Sequence, residues 1–435
     1  MAGNSSDEKE ECLRLYKNDS RIPCKYGIKC YQKNPAHHEK YKHPSNKYKL
    51  DNASKDEKYT KRTKEDISKQ SPNKHTLDDE GKDERCTKRT KEDIPKQSPN
   101  DGSSHPGGSS AAEEEEFSLP DDVKEAIKEA FLVEMPDDFY SFWSFCLSLK
   151  KDSPAGALKD VGLFLVGPFD LILNRESFKK CKKVDYLRHW RYYFDPPEFQ
   201  TVIKGDDKTE FHLGYYRDDP SSDPCFVASN SAAVDCTITP VAENLFGAVN
   251  SYLETRKNKS DPFHKMKISS LQKSLHSWAK ENNFDLDVNT AAMKARARKV
   301  VAKTFHKGGI VVPVNKTNDT GYRPLIESEV NLKKILKNYA NSDSDDQRKA
   351  LMDKLQPIIT AANIANDECD FGTSLELGLD LFSFGGDVFH GMIKHLLCTA
   401  YALLNREAFA EIITAHLGKR LKGPNLSVLV TSGRS

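Results

Sequence analysis

The 435-residue sequence contains no long run of uncharged apolar residues, and no apolar segment follows closely behind its N-terminus. A membrane-spanning helix needs about 20 such residues and a signal peptide needs a shorter apolar core, so we expect neither. Apart from Cys24 and Cys30, the ten cysteines are scattered singly, which argues against a disulfide framework. These absences predict a soluble protein of the cytosol or nucleus with reduced thiols.

An excess of charge of one sign is also lacking. The 66 Lys and Arg residues balance 65 Asp and Glu residues to a net charge of +1, so the whole chain has no strong attraction to nucleic acid or anionic membrane. Apolar residues are scarce between residues 48 and 116, where burial cannot offset the conformational entropy of folding. We therefore predict that residues 1–20 and 46–116 are disordered.

The predicted linker contains an internal repeat. The segment "DEKYTKRTKEDISKQSPN", from Asp56 to Asn73, recurs as "DERCTKRTKEDIPKQSPN", from Asp83 to Asn100. Two copies without an apolar face cannot stack as a solenoid. The "TKRTK" clusters are compatible with a nuclear-import signal or a weak contact with a polyanion, but their interleaved acids favour a solvated spacer.

The remaining sequence predicts an α+β fold. Helix-start residues and apolar residues at helical spacing indicate two short helices from about residue 120. Strand-like runs follow in "LFLVGPFDLIL", "LRHWRYYF", "FQTVIK", "EFHLGYY" and "PCFVAS", and the turn residues between them favour an antiparallel sheet. Beyond residue 242 the period becomes helical, apart from a short strand predicted in "GGIVVPV".

These patterns divide the folded region into two parts. We assign residues 117–240 to an N-terminal α/β part and residues 241–417 to a mainly helical C-terminal part. Residues 418–435 are expected to form a frayed tail.

The paired cysteines belong to a metal-ligand pattern near the N-terminus. Cys24, Cys30, His37 and His43 follow the spacing C-x5-C-x6-H-x5-H. Two thiolates and two imidazoles satisfy tetrahedral zinc and leave no open position for catalysis, so we predict one structural Zn²⁺ whose binding folds residues 21–45. The spacing is too short for a ββα finger that reads a DNA groove. On these residues alone, a chance Cys/His-rich patch is the alternative.

The segment "PCKYGIKCYQKNPAHHEKYKHP" resembles the poly(ADP-ribose)-binding zinc finger family in its ligand spacing, its Cys-Tyr pair and its Asn-Pro pair. The resemblance implies that the four ligands bind zinc and that Tyr26 and Tyr31 stack on adenine of the polymer. Arg21 is one of the cations beside them that would neutralise pyrophosphate. Many family members carry Arg where this chain has Gln32, which predicts the loss of one phosphate contact.

A second candidate site lies in "ANIANDECDFGTSLELGLDLF". Asp367, Glu368 and Asp370 fall at the apparent end of a helix, with Gly372 as the expected C-cap. Acids at a helix C-terminus oppose the helix dipole, and a locally unfavourable choice points to function, although a solvated loop explains the same pattern. The "DFG" triplet does not indicate a protein kinase, because the other kinase motifs are missing from the sequence.

The folded region resembles the histone PARylation factor family. The likeness is carried by "MPDDFYSFWSFC", "LRHWRYYFDPPEFQTVIKGDDKTEFHLGYYRDDP", "KVVAKTFHKGGIVVPV", "TGYRPL" and "ANDECDFGTSLELGLDLF". It implies an accessory factor, not an enzyme on its own, that docks on the catalytic domain of a DNA-break-activated poly(ADP-ribose) polymerase. The polymerase holds NAD, and the factor completes a shared active site that directs ADP-ribose onto serine, including histone serines.

The resemblance also implies roles for individual residues. Glu368 is the catalytic general base, because a serine hydroxyl is too weakly acidic to attack unaided. Asp367 is a polymerase-docking acid, and Asp370 is a further interface residue. Tyr322 and Arg323 in "TGYRPL" lie near Glu368 in the family, where a guanidinium would keep the carboxylate ionised and oriented.

Location and partners follow from the same resemblance. It implies a nuclear protein on chromatin at sites of DNA damage, with the polymerase, histones and poly(ADP-ribose) as partners and no membrane or sequence-specific DNA binding. A flexible linker of about 70 residues would let the finger sample a radius on the order of 50 Å and hold polymer near the catalytic half. The alternative is a non-catalytic poly(ADP-ribose) reader or scaffold. A free-standing hydrolase is disfavoured, because no nucleotide-binding loop is visible.

Overall fold

A computed structural model describes residues 14, 16, 19–24, 37, 41–43, 119–178, 181–318, 320–342 and 344–429. The chain divides into two units, Met1–Glu114 and Glu115–Ser435. The predicted linker 46–116, its repeat, and the predicted site residues Tyr26, Cys30 and Tyr31 lie outside the described residues.

In the first unit, two short strands pair in parallel. They are β1 (Ile22–Pro23) and β2 (Tyr41–Lys42). The backbone N–H of Cys24 extends this ladder by donating to the Lys42 carbonyl at 2.9 Å. The ladder therefore brings Cys24 beside His43, the residue that follows β2.

The second unit contains the predicted antiparallel sheet. Its five strands lie in chain order, so that each pairs with its sequence neighbour. They are β3 (Phe164–Leu165), β4 (Phe199–Lys204), β5 (Phe211–Tyr216), β6 (Phe226–Ser231) and β7 (Thr239–Ala242). The runs "FQTVIK", "EFHLGYY" and "PCFVAS" supply β4, β5 and β6, which confirms the meander predicted from them.

Helices precede, interrupt and follow this sheet. Among the residues described for this unit, the helices as far as residue 297 are α1 (Val123–Phe131), α2 (Asp137–Leu149), α3 (Pro168–Phe178), α4 (Lys183–Arg188), α5 (Leu245–Asn258), α6 (Pro262–Glu281) and α7 (Ala291–Ala297). The helical C-terminal half comprises α8 (Glu329–Ala340), α9 (Asp345–Asp367), α10 (Phe371–Phe384), α11 (His390–Leu403) and α12 (Glu407–Gly418). The order of strands and helices confirms an α+β fold. Within the described residues, no helix combines the length and apolar character that crossing a membrane requires.

The strand predicted from "LFLVGPFDLIL" is wrong beyond Leu165. Gly167 takes a positive φ of 68°, which turns the chain out of the sheet. Pro168 then begins α3, and the Asp170 carboxylate accepts a hydrogen bond from the Gly167 N–H at 3.0 Å. Apolar content alone could not distinguish this short helix from a strand.

The strands predicted from "LRHWRYYF" and "GGIVVPV" are also wrong. The first run contains the end of α4 and an irregular segment in which the buried Arg191 guanidinium donates to the carbonyls of Leu187, Pro196 and Phe199. These side-chain bonds replace a strand ladder. In the second run, the described structure has only an isolated bridge between Ala302 and Ile310.

The segment after α12 is packed, contrary to the expectation of a frayed tail. The Arg420 guanidinium lies 3.7 Å from the Tyr193 ring centroid and 3.9 Å from that of Phe382. Leu426 is buried, and its carbonyl accepts a hydrogen bond from the Trp190 N–H at 3.0 Å. Cation–π stacking and burial therefore fix this segment as far as residue 429.

Helix α10 lies at the centre of the C-terminal half and is buried along most of its length. It packs against both α9 and α11. A β-carbon at Gly378 in α10 would lie 2.5 Å from Leu397 Cδ2 in α11. The close approach of these helices therefore depends on glycine at this position.

Gly378 and Gly391 form a matched pair for testing this packing, because a β-carbon at Gly391 in α11 would meet no atom within 4 Å. Alanine is favoured over glycine in a helix by up to about 1 kcal/mol. We expect Gly391→Ala to raise the free energy of unfolding slightly and Gly378→Ala to lower it by roughly 1–3 kcal/mol through overpacking. Urea unfolding measures both, and equal stabilisation by the two substitutions would contradict the packing.

Candidate functional site

The acidic cluster lies in the turn between α9 and α10. Helix α9 ends at Asp367, and Glu368 is its C-cap. Cys369 then takes the left-handed conformation with φ 67°. Its N–H donates to the Asn366 carbonyl at 3.0 Å, and the Asp370 N–H donates to the Ala365 carbonyl at 2.8 Å. This Schellman turn ends α9, and the acidic residues Asp367, Glu368 and Asp370 lie within it.

The prediction of Gly372 as the C-cap is wrong, because Cys369 has the left-handed position and Gly372 lies in the first turn of α10. Gly372 serves a close approach instead. A β-carbon there would lie 2.9 Å from Val312 Cγ2 and 3.1 Å from both the Gly321 oxygen and the Tyr322 ring. The Gly372 N–H donates to the Gly321 carbonyl at 3.0 Å. Glycine thus lets the segment containing "TGYRPL" approach α10.

Arg323 links two of the predicted acids. Its Nε donates to Asp370 Oδ2 at 2.7 Å, and its guanidinium also pairs with the Glu368 carboxylate. The hydrogen bond to Glu368 raises the pKa of Arg323 above its usual value. The side chain of Asp370 is 7% exposed, whereas that of Glu368 is 56% exposed. Arg323, which is fixed by the buried Asp370, therefore holds Glu368 at the surface.

The backbone of Arg323 is also fixed. Asp370 Oδ1 accepts a hydrogen bond from the Gly321 N–H at 2.8 Å. The Thr373 hydroxyl donates to the Arg323 carbonyl at 2.8 Å and accepts from the Arg323 N–H at 3.2 Å. The sequence does not predict this role for Thr373, because a threonine inside a helix has no pattern that distinguishes such a role.

Tyr322 contacts the first of two buried carboxyl groups in α10, neither of which was predicted from the sequence. Its hydroxyl donates to Glu376 Oε2 at 3.0 Å, and burial raises the pKa of Glu376 to about 7. One turn further along α10, Asp380 is buried and accepts a hydrogen bond from the Phe305 N–H at 2.8 Å, and burial raises its pKa to about 8. The sequence signal that could have identified Glu376 and Asp380 is the presence of two acidic residues within a mostly apolar helix.

Asp367 lies at the last position of α9 with an exposed side chain. The structure therefore brings Tyr322, Arg323, Glu368 and Asp370 into one contact network and places Asp367 at its edge. An exposed carboxylate held by a guanidinium can accept a proton from a hydroxyl group presented by another molecule.

The first unit brings three predicted metal ligands together. The ligand atoms of Cys24, His37 and His43 all lie within 4.8 Å of one another. Cys24 Sγ is 3.6 Å from His37 Nε2, which is 3.1 Å from His43 Nε2. Nitrogen ligands about 2.1 Å from a tetrahedral ion lie roughly 3.4 Å apart, so these positions fit one Zn²⁺. The predicted fourth ligand, Cys30, lies outside the described residues.

Arg21, predicted to contact the polymer, pairs with Asp19. Its Nε donates to Asp19 Oδ1 at 3.0 Å, and the Asp19 carbonyl accepts a hydrogen bond from Lys42 Nζ at 2.6 Å. The side-chain hydrogen bond from Arg21 lowers the pKa of Asp19 to about 2. The Arg21 side chain is exposed and lies three residues before the predicted metal ligand Cys24 in the sequence.

Replacing Glu376 by Gln tests the buried carboxyl beneath Tyr322. The raised pKa means that ionisation opposes folding as pH rises from about 4 to about 7, while glutamine keeps an acceptor for the Tyr322 hydroxyl. We expect Glu376→Gln to raise the free energy of unfolding by about 1–2 kcal/mol at pH 8, after allowance for solvent contact, and to leave it unchanged near pH 4.

Chemical denaturation at the two pH values measures this difference. Glu281→Gln is the control, because Glu281 is exposed at the end of α6. An equal loss of stability at both pH values in Glu376→Gln would contradict the account.

Comparisons with known proteins agree with the two-part organisation. The family model described as Histone PARylation factor 1 matches residues 122–420, and the one described as PBZ domain matches residues 21–46. Histone PARylation factor 1 of Bos taurus is 42% identical over 308 residues, which cover 70% of this chain and 89% of the relative.

Two further relatives have similar coverage. Histone PARylation factor 1 of Danio rerio is 42% identical over 71% of this chain and 88% of its own length. A Homo sapiens protein named putative histone PARylation factor 1-like is 39% identical over 71% of this chain and 89% of its own length. The chain therefore belongs to the histone PARylation factor 1 family and carries a PBZ domain ahead of the family region.

Proposed function

We propose that this chain is an accessory subunit of a poly(ADP-ribose) polymerase and that Glu368 completes an active site shared with the polymerase catalytic domain. The observation that carries the proposal is the outward-facing Glu368 carboxylate, which Arg323 holds against the buried Asp370. The family membership supports the accessory role. The chain itself is not an enzyme in this account.

The proposed reaction needs only a base from this chain. As the serine hydroxyl oxygen bonds to the ribose carbon of NAD held by the polymerase, its proton passes to Glu368. The bond between that carbon and nicotinamide breaks, and nicotinamide leaves as the neutral base. Arg323 orients the carboxylate, and Tyr322 and Thr373 hold the segment that carries Arg323. Serines of histones are the proposed substrates, on chromatin at sites of DNA damage.

The end of α9 is the proposed docking point for the polymerase. Asp367 is exposed at the last position of the helix, and Ile364, one turn earlier, is 49% exposed. An apolar side chain beside an acid suits an interface with a partner, in which the apolar group is buried and the charge is paired. In this proposal the contact lies next to Glu368, where a shared active site requires it.

We further propose that the PBZ domain binds poly(ADP-ribose), with one structural Zn²⁺ held by Cys24, Cys30, His37 and His43. The converging ligand atoms of Cys24, His37 and His43 support the metal site. In this proposal Tyr26 and Tyr31 stack on adenine, and Arg21 neutralises phosphate.

Glu368→Gln removes the base and keeps the side-chain shape. We expect serine modification of a histone peptide, in the presence of polymerase and NAD, to fall by roughly 10²-fold or more. Mass spectrometry of the modified peptide measures it, and Glu281→Gln, an exposed Glu→Gln change at the end of α6, should retain full activity. Equal serine modification with Glu368→Gln and the parent chain would contradict the proposal and leave the chain as a polymer reader or scaffold.

Zinc removal should affect the two functions differently. Because metal binding supplies the folding energy of so small a finger, a chelator should abolish its binding of polymer while stimulation of serine modification persists. Tyr26→Ala combined with Tyr31→Ala should weaken polymer binding by the finger without releasing zinc. Far-UV circular dichroism, zinc release and polymer binding distinguish these effects. Loss of serine modification on chelation would contradict their independence.

A further inference from the structure

The turn between α5 and α6 forms a cationic surface that the proposed reaction does not use. We call the segment Arg256–Lys267, "RKNKSDPFHKMK", the α5–α6 turn. It contains five Lys or Arg residues and one Asp, a net charge of +4, in a chain whose total net charge is +1. Nearly all of its side chains are exposed. The turn therefore concentrates positive charge in a chain that is otherwise balanced.

The Lys and Arg side chains of this turn have few acidic partners among the described residues. Within the described residues, none of Arg256, Lys259 and Lys265 forms an ion pair. The one acid of the turn, Asp261, caps α6 by accepting hydrogen bonds from the N–H groups of Phe263 and His264, and its carboxylate also pairs with the His264 ring. An ordinary solvated helix of this protein behaves differently, as in α8, where Lys333 pairs with Glu329 one turn away.

Two large apolar side chains lie among these cations. Phe263 is 60% exposed and Met266 is 67% exposed, one helical turn apart. Lys267 Nζ lies 4.8 Å from the centroid of the Phe263 ring. An exposed aromatic ring flanked by cations can stack on an unpaired base while its neighbours contact phosphate.

A cavity of about 480 Å³ is lined by residues of this turn, among them Asp261 and His264, which lie close to Phe263 in the sequence. Its wall supplies cations and hydroxyl groups, from Arg256, Lys259, Thr255, Ser260 and Tyr252. Two carboxylates, Asp160 and Asp261, lie in the same wall. Asp261 is engaged in capping α6, whereas Asp160 offers a carboxylate of the kind that accepts hydrogen bonds from ribose hydroxyls in nucleotide sites. Cations for a pyrophosphate, an acceptor for ribose and a ring for adenine are the complement of an ADP-ribose unit.

We propose that the α5–α6 turn and this cavity bind poly(ADP-ribose) as a second polymer site, separate from the PBZ domain. The choice of polymer rests on the proposed function, because the partner polymerase would produce it beside this chain. DNA is disfavoured because its internal deoxyriboses carry no free hydroxyl group that Asp160 can bind and because its bases are paired in duplexes. Two linked polymer sites would raise the effective affinity of the chain without new contacts at either site.

The experiment measures polymer binding in the full chain with the finger inactivated by Cys24→Ser and His43→Ala. The probe is poly(ADP-ribose) of defined length, without polymerase or NAD. We expect residual binding that Lys259→Glu with Lys265→Glu lowers roughly tenfold or more and that a rise in salt also weakens. Phe263→Ala should lower it about fivefold through lost stacking.

The matched control is Lys273→Glu with Lys280→Glu, which makes the same charge change at exposed positions further along α6. It should bind like the finger-inactivated parent, and thermal unfolding should show that all variants are folded. Asp160→Asn should weaken binding of poly(ADP-ribose) and not of single-stranded DNA, since only the first carries free ribose hydroxyls along the chain.

Three results would overturn the proposal. They are the absence of polymer binding in the finger-inactivated chain, an equal loss in the control variant, and equal or stronger binding of single-stranded DNA or RNA of the same charge. Because the assay contains no polymerase, its failure is distinguishable from failure of the Glu368 proposal, which is measured by serine modification.

Discussion

The buried carboxylate of Asp370 is the group on which the candidate site depends. One oxygen accepts the Gly321 N–H and the other accepts Arg323 Nε, so this side chain joins the start of α10 to a segment about fifty residues earlier in the chain. A carboxylate removed from water needs such partners, because unpaired burial of a charge is costly. The positions of the Gly321–Arg323 segment and of the start of α10 therefore depend on each other. Glu368 is positioned as a consequence, because it pairs with Arg323.

Exposure separates the roles of two acids that are two residues apart. Asp370 is buried and fully engaged, whereas Glu368 shares the same arginine and faces outward. The Schellman turn at Cys369 makes this difference, because it reverses the chain between them. A non-glycine residue in the left-handed region carries a conformational cost, and such costs are commonly retained at functional sites. The buried α10 supplies the rigid support beneath.

Sequence patterns predicted the fold class and the central strands but not the site's construction. Alternation and turn residues identified β4, β5 and β6. Apolar content alone predicted strands that do not form, because the chain turns at Gly167 and because the buried Arg191 binds backbone carbonyls of an irregular segment. The pairing of Arg323 with Glu368 spans 45 residues, so no local pattern could reveal it, and only the family resemblance brought them together. The contacts of Thr373 exist only after α10 packs against its neighbouring segment.

The central claim is that Arg323 acts through Glu368. A double-mutant cycle with Arg323→Gln and Glu368→Gln, read as the rate of serine modification of a histone peptide by the polymerase, tests it most directly. The account predicts that Arg323→Gln slows the reaction strongly in the parent chain and adds little in the Glu368→Gln background. Rate losses that multiply in the double variant would contradict it, because Arg323 would then act independently of the carboxylate.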